Sequence, residues 1–496
     1  MHRCFLSFSI LTPLLLVGMG AGHARSADPV TGSKPNFIYI NIDDLGYADV
    51  GCYGSTLNKT PNIDRLAKEG LKLTSFYTAP VCTPSRASLM TGSYPKRVGL
   101  PQVIFPASHL GLNSEEETLP EQLKKLGYAT ACVGKWHLGD QPEFLPGKHG
   151  FDYYYGLPYS NDMGPSLDGA KTNLNEPAME ISGKTGTARN PKAQQNQQQQ
   201  QNDALGVRGP KQPPLPLLEN DRVIERVRQT EQQALVEKYT VASLKFVEEH
   251  QKEPFFLYLP HSAVHFPLYP SKDFLGKSGH GLYSDWIEEV DASVGRLVEK
   301  LKALGLDKKT LVVFASDNGG TPRAVNSPLR GNKTTTWEGG VRSPTIAWWP
   351  GTIPANASSD EITSTMDVLP TFVKLAQGEV ATGRKIDGMD LSAVLKGAPG
   401  AKGRDTFYYY KGPTLEGVRQ GRWKLSLLNN QKRLYDLMAD VGEATDVAAA
   451  NPDVVTQLEK LVEVMGADLG LDGKQKAPGQ REPGRVAEPK PLILGE

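Results

Sequence analysis

The stretch Asn36-Phe37-Ile38-Tyr39-Ile40-Asn41-Ile42 is followed directly by Asp43-Asp44-Leu45-Gly46. Its first seven residues are mostly apolar and β-branched, which is typical of a short strand buried in a sheet. Two further runs, at 254–259 and 310–315, have the same character, and an amphipathic helical segment precedes each of them. Helices that alternate with buried strands predict an α/β domain with a doubly wound mixed sheet flanked by helices.

Acidic and amide side chains stand where these strands end. Asp43 and Asp44 follow the first run, and Asp317 and Asn318 follow the run at 310–315. Open α/β sheets place their sites at the carboxyl ends of the strands, and Ca²⁺ prefers carboxylate and amide oxygens. A pair of aspartates alone is more often a solvated turn, but the four residues together are a candidate site for a divalent cation.

A second informative stretch runs from Pro80 to Gly92 and contains Cys82-Thr83-Pro84-Ser85-Arg86. Pro84 suits the first position of a helix and Gly92 suits its C-terminal cap, so the sequence predicts a helix that starts just after Cys82. The helix dipole and the Arg86 cation both favour negative charge at that cysteine. A cysteine taken alone, however, is more often a buried and inert residue.

Further candidate residues lie in three loops. Lys135 and His137 lie two residues apart in the string 134–139, so on an extended segment they face the same way. Each of them, considered alone, is more often structural than catalytic. The remaining candidates are Ser160 in the string 156–162, His265 after the run at 254–259, and Lys333 in the segment 330–342.

The composition of the chain restricts its partners. The 496 residues contain 55 Lys and Arg and 55 Asp and Glu, so the formal net charge is zero. This balance argues against binding through bulk charge, and we expect no nucleic-acid partner. Of the four cysteines, Cys4 lies in the leader, and Cys52 and Cys132 could form at most one bridge beside Cys82. Two free thiols are the commoner case.

Residues 1–26 have the layout of a secretory signal peptide, with Arg3 ahead of an apolar run from Phe5 to Val17 and small residues after it. The run is too short to cross a bilayer, and no later stretch is apolar for long enough. We therefore expect an exported mature chain without an integral membrane segment, in a periplasmic, secreted or lysosome-like location.

The remaining segments of the chain differ in composition and in predicted secondary structure. We expect the main domain at 35–400, interrupted at about 167–220 by a polar, Gln-rich insertion that is flexible. Short antiparallel strands and a last amphipathic helix predict a smaller α/β subdomain at 401–472. The Pro-, Gly- and Lys-rich tail at 473–496 is expected to be disordered.

These strings together resemble a known family. Cys-x-Pro-Ser-Arg followed by Leu-Met-Thr-Gly, at 82–92, is similar to the signature of the type I sulfatases of the alkaline phosphatase superfamily. Gly-Lys-Trp-His-Leu-Gly at 134–139 and the Lys-containing segment 330–342 match the same family. The string 156–162 looks like its arylsulfatase A branch. The resemblance spans most of the chain apart from the Gln-rich insertion, and it implies an alkaline phosphatase-like fold.

The resemblance implies a sulfuric ester hydrolase that acts on a sulfated small molecule or glycan. In this family a separate formylglycine-forming enzyme oxidises the cysteine, here Cys82, to Cα-formylglycine, whose hydrate attacks sulfur. One divalent cation, for which Ca²⁺ is expected, would be bound by Asp43, Asp44, Asp317 and Asn318. The implied catalytic residues are Cys82, Arg86, Lys135, His137, His265, Asp317 and Lys333, and the implied substrate-binding residues are Ser160, Lys135, His265 and Lys333.

The family's chemistry assigns a role to each of these side chains. Asp317 acts as the base, and His137 helps to expel sulfate at the end of the cycle. His265 and Lys333 stabilise or protonate the leaving alcohol. The side chains that neutralise the sulfate are Arg86, Lys135 and Lys333.

Two other functions fit parts of the pattern. A phosphodiesterase or phosphonate monoester hydrolase could share the nucleophile and the superfamily fold, but such enzymes usually have a metal site richer in carboxylate and histidine. Asn318 and Lys333 favour sulfate over phosphate. An inactive, secreted carbohydrate-binding relative would usually have lost the cysteine or the metal ligands, and none of them is lost here.

Overall fold

The computed structural model describes residues 1–2, 34–176, 204–381 and 383–495. Nearly all of the expected signal peptide and residues 177–203 of the Gln-rich insertion lie outside these ranges. Residues Lys34–Glu496 form one unit, and the description below concerns that unit. No helix in the described ranges is both long enough and apolar enough to cross a membrane.

The strands are numbered in chain order. They are β1 (Asn36–Ile42), β2 (Leu71–Tyr77), β3 (Leu110–Gly111), β4 (Ala129–Val133), β5 (Tyr153–Gly156), β6 (Pro216–Glu219), β7 (Arg222–Arg226), β8 (Phe255–Pro260), β9 (Thr310–Ser316), β10 (Arg342–Trp348), β11 (Ala357–Ser359), β12 (Thr363–Ser364), β13 (Thr406–Lys411), β14 (Thr414–Gln420), β15 (Trp423–Ser426), β16 (Arg433–Asp436) and β17 (Gly484–Arg485).

The α-helices are numbered in the same way. They are α1 (Pro61–Glu69), α2 (Cys82–Thr91), α3 (Leu119–Lys125), α4 (Gln229–Gln232), α5 (Leu235–Glu249), α6 (Leu282–Ala303), α7 (Glu338–Val341), α8 (Val368–Leu375), α9 (Ser392–Leu395) and α10 (Pro452–Leu469).

The main sheet is mixed, with the strand order β11-β2-β10-β9-β1-β8-β4-β5-β6-β7. Its centre is parallel, because β1 pairs in parallel with β8 and β9, and β4 pairs in parallel with β8 and β5. In the register, Ile40 of β1 lies between Leu259 of β8 and Phe314 of β9. The carboxyl ends of β9, β1, β8, β4 and β5 therefore meet at one edge of the sheet.

The two faces of the sheet are covered by different helices. Along β1, Ile38, Ile40 and Ile42 belong to one buried cluster, whereas Phe37 and Tyr39 belong to another. The first cluster is completed by apolar residues of α1, α5 and α6, and the second by residues of α2, α3 and α8. The two clusters lie on opposite faces, because alternate side chains of a strand face opposite sides of the sheet. Helices cover both faces, which confirms the predicted mixed α/β sheet flanked by helices.

A second, antiparallel sheet lies in the C-terminal region, with the order β13-β14-β15-β16. The sequence indicated one strand-like run over residues 416–427, whereas the structure divides it into β14 and β15. The turn between them contains Gly421 at a φ of 54°, a left-handed conformation that glycine adopts without a steric penalty. Leu458 of α10 packs with Val418 and Leu425 of this sheet.

The structure differs from the expected disorder of the tail. Gly484 of β17 pairs with Gly111 of β3, and Arg481 forms an ion pair of 2.6 Å with Glu116. The Pro- and Lys-rich composition indicated a chain without a core. Backbone pairing and a partly buried ion pair, which composition does not reveal, attach this segment to the main domain.

The end of the Gln-rich insertion also differs from the expected flexible segment. Leu217 and Leu218 are fully buried in β6, which extends the main sheet. The amide of Phe105 donates to the carbonyl of Leu205 at 2.7 Å, and the amide of Val207 donates to the carbonyl of Pro106 at 2.7 Å. Residues from 204 onward thus belong to the folded body, because their leucines bury apolar surface.

Candidate active site

The carboxyl ends of β1 and β9 bring together the four residues that the sequence proposed as cation ligands. Asp43 and Asp44 follow β1, and Asp317 and Asn318 follow β9, its parallel neighbour. All four side chains are buried. The amide of Asp44 donates to Oδ1 of Asp317 at 3.3 Å, and Asp44 itself has a left-handed φ of 63°. The strand pairing, not sequence proximity, therefore creates this acidic cluster.

The donor atoms of this cluster fit a divalent cation. The Nδ2 of Asn318 donates to Asp44 Oδ1 at 2.8 Å, whereas Oδ1 of Asn318 is buried and has no hydrogen-bond partner in the described ranges. A buried amide oxygen without a partner is costly unless something else satisfies it. Ligand atoms of Asp43, Asp44, Cys82 and His265 also lie within 4.8 Å of one another. Three carboxylates and a free amide oxygen form a set of hard ligands.

Cys82 is the first residue of α2, whereas the sequence placed it just before the helix. Val81 is the N-cap residue, and Pro84 occupies the third helical position, where a helix N–H has no intrahelical acceptor to lose. Gly92 caps the other end with a φ of 63°, as predicted. The three described cysteines, Cys52, Cys82 and Cys132, are free.

The thiol of Cys82 is buried between an acid and a base. Its Sγ lies 3.5 Å from Asp43 Oδ1 and 3.5 Å from Lys333 Nζ. Burial, together with the Asp43 carboxylate, raises the pKa of the Cys82 thiol above its ordinary value. The unmodified side chain therefore remains a neutral thiol near neutral pH, which is a weak nucleophile.

Three cations surround the carboxylates. Arg86 Nη2 lies 2.9 Å from Asp317 Oδ2 and 3.4 Å from Asp43 Oδ2. Lys135 forms an ion pair with Asp43, and Lys333 Nζ lies 2.6 Å from Asp44 Oδ1. Each acidic residue therefore has its own basic partner, and the buried charges compensate one another.

The pKa values of Asp43 and Asp317 are displaced in opposite directions. Burial alone would raise the pKa of Asp43, but the nearby cations of Lys135 and Arg86 outweigh it and hold the pKa of Asp43 well below its ordinary value. Burial and the neighbouring Asp43 carboxylate raise the pKa of Asp317. A like charge beside a buried acid disfavours its ionised form.

His137 follows β4 and has one defined tautomer. Its Nε2 lies 3.0 Å from the carbonyl oxygen of Ile104, and since a carbonyl only accepts, Nε2 carries the proton. Burial and the cations of Lys135 and Arg86 lower the pKa of His137 well below its ordinary value. Nδ1 is buried without a hydrogen-bond partner in the described part of the chain, so a lone pair is free there.

Gly134 allows the segment that carries His137 to approach β8 closely. A Cβ at Gly134 would overlap the carbonyl oxygen of Pro260 at the end of β8, and the φ of Gly134 is 134°. Only glycine fits both constraints. This approach places Lys135 next to the acids that follow β1.

His265 and Ser160 complete the cluster. His265 Nδ1 lies 2.5 Å from the carbonyl oxygen of Phe266 and 3.3 Å from Ser160 Oγ, while Nε2 lies 3.6 Å from Asp44 Oδ2. Lys135 Nζ donates to Ser160 Oγ at 3.0 Å. Ser160 thus bridges a lysine that contacts Asp43 and the histidine beside Asp44.

The comparison with known proteins identifies this arrangement. The family profile named Sulfatase matches residues 35–378, and the profile named N-sulphoglucosamine sulphohydrolase, C-terminal, matches residues 332–467. The chain belongs to the sulfatase family. Enzymes of this family hydrolyse sulfate esters, so the chain is a sulfuric ester hydrolase, as the sequence motifs predicted.

Two curated relatives show how far this similarity extends. N-acetylgalactosamine-6-sulfatase of Mus musculus is 37% identical over 443 residues, which cover 84% of this chain and 75% of the mouse enzyme. Arylsulfatase A of Homo sapiens is 35% identical over 489 residues, which cover 90% of this chain and 89% of the human enzyme.

Two solved structures are similar over the same extent. The PsFucS1 sulfatase from Pseudoalteromonas sp. has a TM-score of 0.76 at 28% identity and covers 90% of this chain and 92% of its own. Ps i-CgsB, solved in complex with k-i-k-neocarrahexaose, has a TM-score of 0.72 at 31% identity, covering 87% of this chain and 93% of its own.

Among the proposed site residues, His265 and Lys333 have the most exposed side chains. The side chains of His265 and Lys333 are 13% and 14% exposed, whereas Cys82 is 2% and His137 1% exposed. The other basic residues of the site are buried. Access to Cys82 is therefore past His265 and Lys333, not past His137.

The structure gathers the predicted site residues into one cluster and adds a contact that sequence reasoning missed. The backbone carbonyl of Ile104 fixes the tautomer of His137, and no side-chain motif could have indicated it. His261, four residues before His265, lies apart, with Nε2 3.4 Å from Ser293 Oγ of α6. The two histidines therefore do not converge on one metal ion.

Proposed function

We propose that this sulfatase uses a formylglycine hydrate, formed from Cys82, and one divalent cation to hydrolyse sulfate esters of carbohydrates or aryl alcohols. The observation that carries the proposal is the environment of Cys82. An intact Cys-x-Pro-Ser-Arg string begins a helix there, and the Sγ atom lies 3.5 Å from both Asp43 and Lys333. Attack by a formylglycine hydroxyl on sulfur would be covalent catalysis, and the second hydroxyl would allow sulfate to leave by elimination.

Asp43, Asp44, Asp317 and Asn318 would hold the cation. The unpartnered Oδ1 of Asn318 supports this assignment, because a buried amide oxygen needs a partner. Three carboxylates and one amide oxygen are hard ligands, and such a set favours Ca²⁺. When bound, the cation would polarise a sulfate oxygen and neutralise negative charge.

The basic residues of the chain would bind and orient the sulfate group. Lys135, held by Asp43 and by Ser160 at 3.0 Å, and Lys333, held by Asp44 at 2.6 Å, are both poised beside residue 82. Arg86 would fix the position of Asp317, the proposed base, through its contact of 2.9 Å. Preorganised charges of this kind stabilise charge that develops in a transition state.

The two histidines would serve opposite ends of the reaction. The free lone pair on Nδ1 of His137, in the closed part of the site, can accept a proton when sulfate is expelled. His265 lies in the open part of the site, where the alcohol portion of a substrate must extend. With Lys333 it would stabilise or protonate the leaving alcohol.

The comparisons support a sulfated carbohydrate as the substrate class. The mouse relative is named for N-acetylgalactosamine 6-sulfate, and Ps i-CgsB was solved with a neocarrahexaose. We also propose that the protein is exported and is modified by a formylglycine-forming enzyme of its host. The apolar run at 5–17 supports export.

The proposal is tested by mass spectrometry of the tryptic peptide that ends at Arg86, prepared from the native host. We expect an aldehyde at residue 82 and, for Cys82→Ala, a folded protein without measurable turnover of 4-nitrophenyl sulfate. Cys132→Ala is the matched control, because Cys132 is also buried but lies outside the site, and it should keep most activity. Full activity with an unmodified Cys82 would refute the nucleophile.

The same preparation distinguishes sulfate from phosphate chemistry. Rates with 4-nitrophenyl sulfate should exceed those with an aryl phosphate diester or phosphonate monoester. The reverse preference would assign the site to the alternative activity, since both would depend on Cys82.

A further inference from the structure

The surface beside the open side of the site carries an arginine that the reaction does not use. The guanidinium carbon of Arg323 lies 5.4 Å from the ring centroid of Phe266, the residue that follows His265. Arg323 is exposed, and within the described ranges it forms no ion pair with an acidic side chain. A cation over an aromatic face is held in place without losing its charge.

The loop that carries Arg323 is fixed at several points. Asn326 and Gly320 exchange two hydrogen bonds, of 3.1 and 3.0 Å. The amide of Val325 donates to Asp49 Oδ1 at 3.0 Å, and the amide of Lys333 donates to the carbonyl of Gly320 at 2.9 Å. The loop thus connects the end of β9 to the segment that carries Lys333, and the position of Arg323 is defined by both.

The position of Arg323 matters because it is close to the exposed residues of the site. Because His265 and Lys333 are the exposed members of the site, the alcohol portion of a bound substrate extends past them toward solvent. Arg323 lies over Phe266, the residue that follows His265. It also belongs to the loop that supports the backbone of Lys333. A guanidinium has a planar fork of donors that matches a carboxylate or a sulfate, and that of Arg323 has no acidic partner among the described residues.

We propose that Arg323 is a specificity residue that binds a second anionic group of the substrate, a carboxylate or a further sulfate near the ester that is cleaved. This inference rests on the proposed sulfatase chemistry and names its preferred substrate as a polyanionic glycan. Since the contact is remote from the breaking bond, it holds substrate and transition state equally, and its loss changes KM more than kcat.

The test compares substrates that differ only in the second anion. One pair is a sulfated disaccharide with a free uronate and the same disaccharide as the uronate methyl ester. The other pair carries either one or two sulfate groups. Arg323→Gln should lower kcat/KM about 5- to 20-fold on the anionic member of a pair, mainly through KM, and less than twofold on the neutral member. Whichever pair responds identifies the anion.

Two control variants make the result specific. Arg208 is also an exposed arginine, with its guanidinium carbon 4.2 Å from the ring centroid of Phe105, but that ring lies beside the closed His137 side. Arg208→Gln should change kcat/KM less than twofold on every substrate. Arg323→Lys should lie between wild type and Arg323→Gln, because lysine keeps the charge and loses the fork.

Three results would overturn the inference. They are equal losses for Arg323→Gln on charged and neutral substrates, equal losses for the Arg323 and Arg208 variants, or no loss on either substrate pair. Turnover of 4-nitrophenyl sulfate by the wild type tests the proposed function separately. A wild type without this turnover would contradict the proposed sulfatase chemistry, whereas the Arg323 comparisons test only the substrate preference.

Discussion

Two buried charge clusters in the described part of the protein are built differently. The proposed catalytic cluster comprises Asp43, Asp44, Asp317, Arg86, Lys135 and Lys333. The subdomain cluster lies between the main sheet and the antiparallel sheet and comprises Glu338, Glu443, Lys424, Arg342 and Arg419. Both are almost wholly removed from solvent. Burial of charge therefore does not by itself distinguish a reactive site from a structural one.

The difference lies in how completely each cluster is satisfied. Both oxygens of Glu338 are engaged, Oε1 by Lys424 at 3.0 Å and Tyr409 at 2.9 Å, and Oε2 by Tyr77 at 2.5 Å and Arg342 at 3.3 Å. Among the described residues, Oδ1 of Asn318 and Nδ1 of His137, beside the proposed catalytic cluster, are buried without a hydrogen-bond partner. In the subdomain cluster Oε1 of Glu443 has no hydrogen bond either, but it forms an ion pair of 2.7 Å with Lys424 Nζ. A buried polar atom needs a partner, so these unpaired atoms beside the acids of the proposed catalytic cluster favour a bound ligand there.

The largest effect should come from removing a cation ligand. Asp44→Asn should reduce kcat/KM at least about 10³-fold, since it removes a ligand charge as well as the partner of Lys333. Elemental analysis should show loss of the bound cation. Chelation should lower the melting temperature of the wild type but not that of Asp44→Asn. Asp49→Asn, a buried acid of the same loop, is the control. Unchanged metal content in Asp44→Asn would refute this ligand.

The second effect separates leaving-group chemistry from sulfate binding. His265→Ala should reduce kcat/KM on sugar sulfates by about 10²–10⁴-fold, because proton donation to an alkoxide contributes that much. Hydrolysis of 4-nitrophenyl sulfate should suffer far less, since nitrophenolate leaves without help. His261→Ala, which changes a histidine outside the site, should affect both substrates alike. Equal losses for His265→Ala would mean that the histidine binds sulfate instead.

Sequence reasoning located most of the proposed catalytic cluster because its acids and Lys135 follow buried strands and Arg86 lies near the start of a helix. The apolar runs before Asp43 and Asp317 fixed two strands, and their parallel pairing brought the acids together. The family resemblance then supplied the basic residues. These features depend on local pattern and on motifs of fixed spacing, which a single sequence displays.

The subdomain cluster was not predicted, and the reason is physical. Lys424 and Glu338 are 86 residues apart and meet only because β15 packs beside α7. In the sequence Lys424 reads as an ordinary polar strand residue, and nothing local indicates that it is 2% exposed. The same limit applies to the tail, which pairs with β3, and to the carbonyl of Ile104. Contacts between distant segments have no local signature.

The third effect should appear in stability with little change in chemistry. Lys424→Met leaves Glu338 and Glu443 buried without their shared cation and should lower the free energy of unfolding by about 3–5 kcal/mol. Denaturant unfolding measures it. Lys432→Met, which breaks an exposed pair with Glu459, should cost less than about 1 kcal/mol. If the folded Lys424→Met protein lost turnover as Asp44→Asn does, the functional distinction between the clusters would be wrong.

The smallest effect concerns acid stability. Burial opposes ionisation of Glu338, but Lys424, Arg342 and Arg419 outweigh it and lower the pKa of Glu338 from 4.5 to about 2. An acid whose pKa is lower in the folded state stabilises the fold above its unfolded pKa, and that contribution disappears as pH falls. The difference in unfolding free energy between wild type and Glu338→Gln should therefore be constant above about pH 5 and shrink by about 3 kcal/mol on approaching pH 2.

Urea unfolding of wild type and Glu338→Gln at matched pH values gives this difference directly, because the titration of all other groups largely cancels between the two proteins. Glu459→Gln is the control, since its ion pair with Lys432 is exposed and its difference from wild type should stay small at every pH. A difference for Glu338→Gln that grew as the pH fell would mean that Glu338 is protonated in the folded protein. The subdomain cluster would then be held together by the hydroxyl groups of Tyr77 and Tyr409 and not by charge.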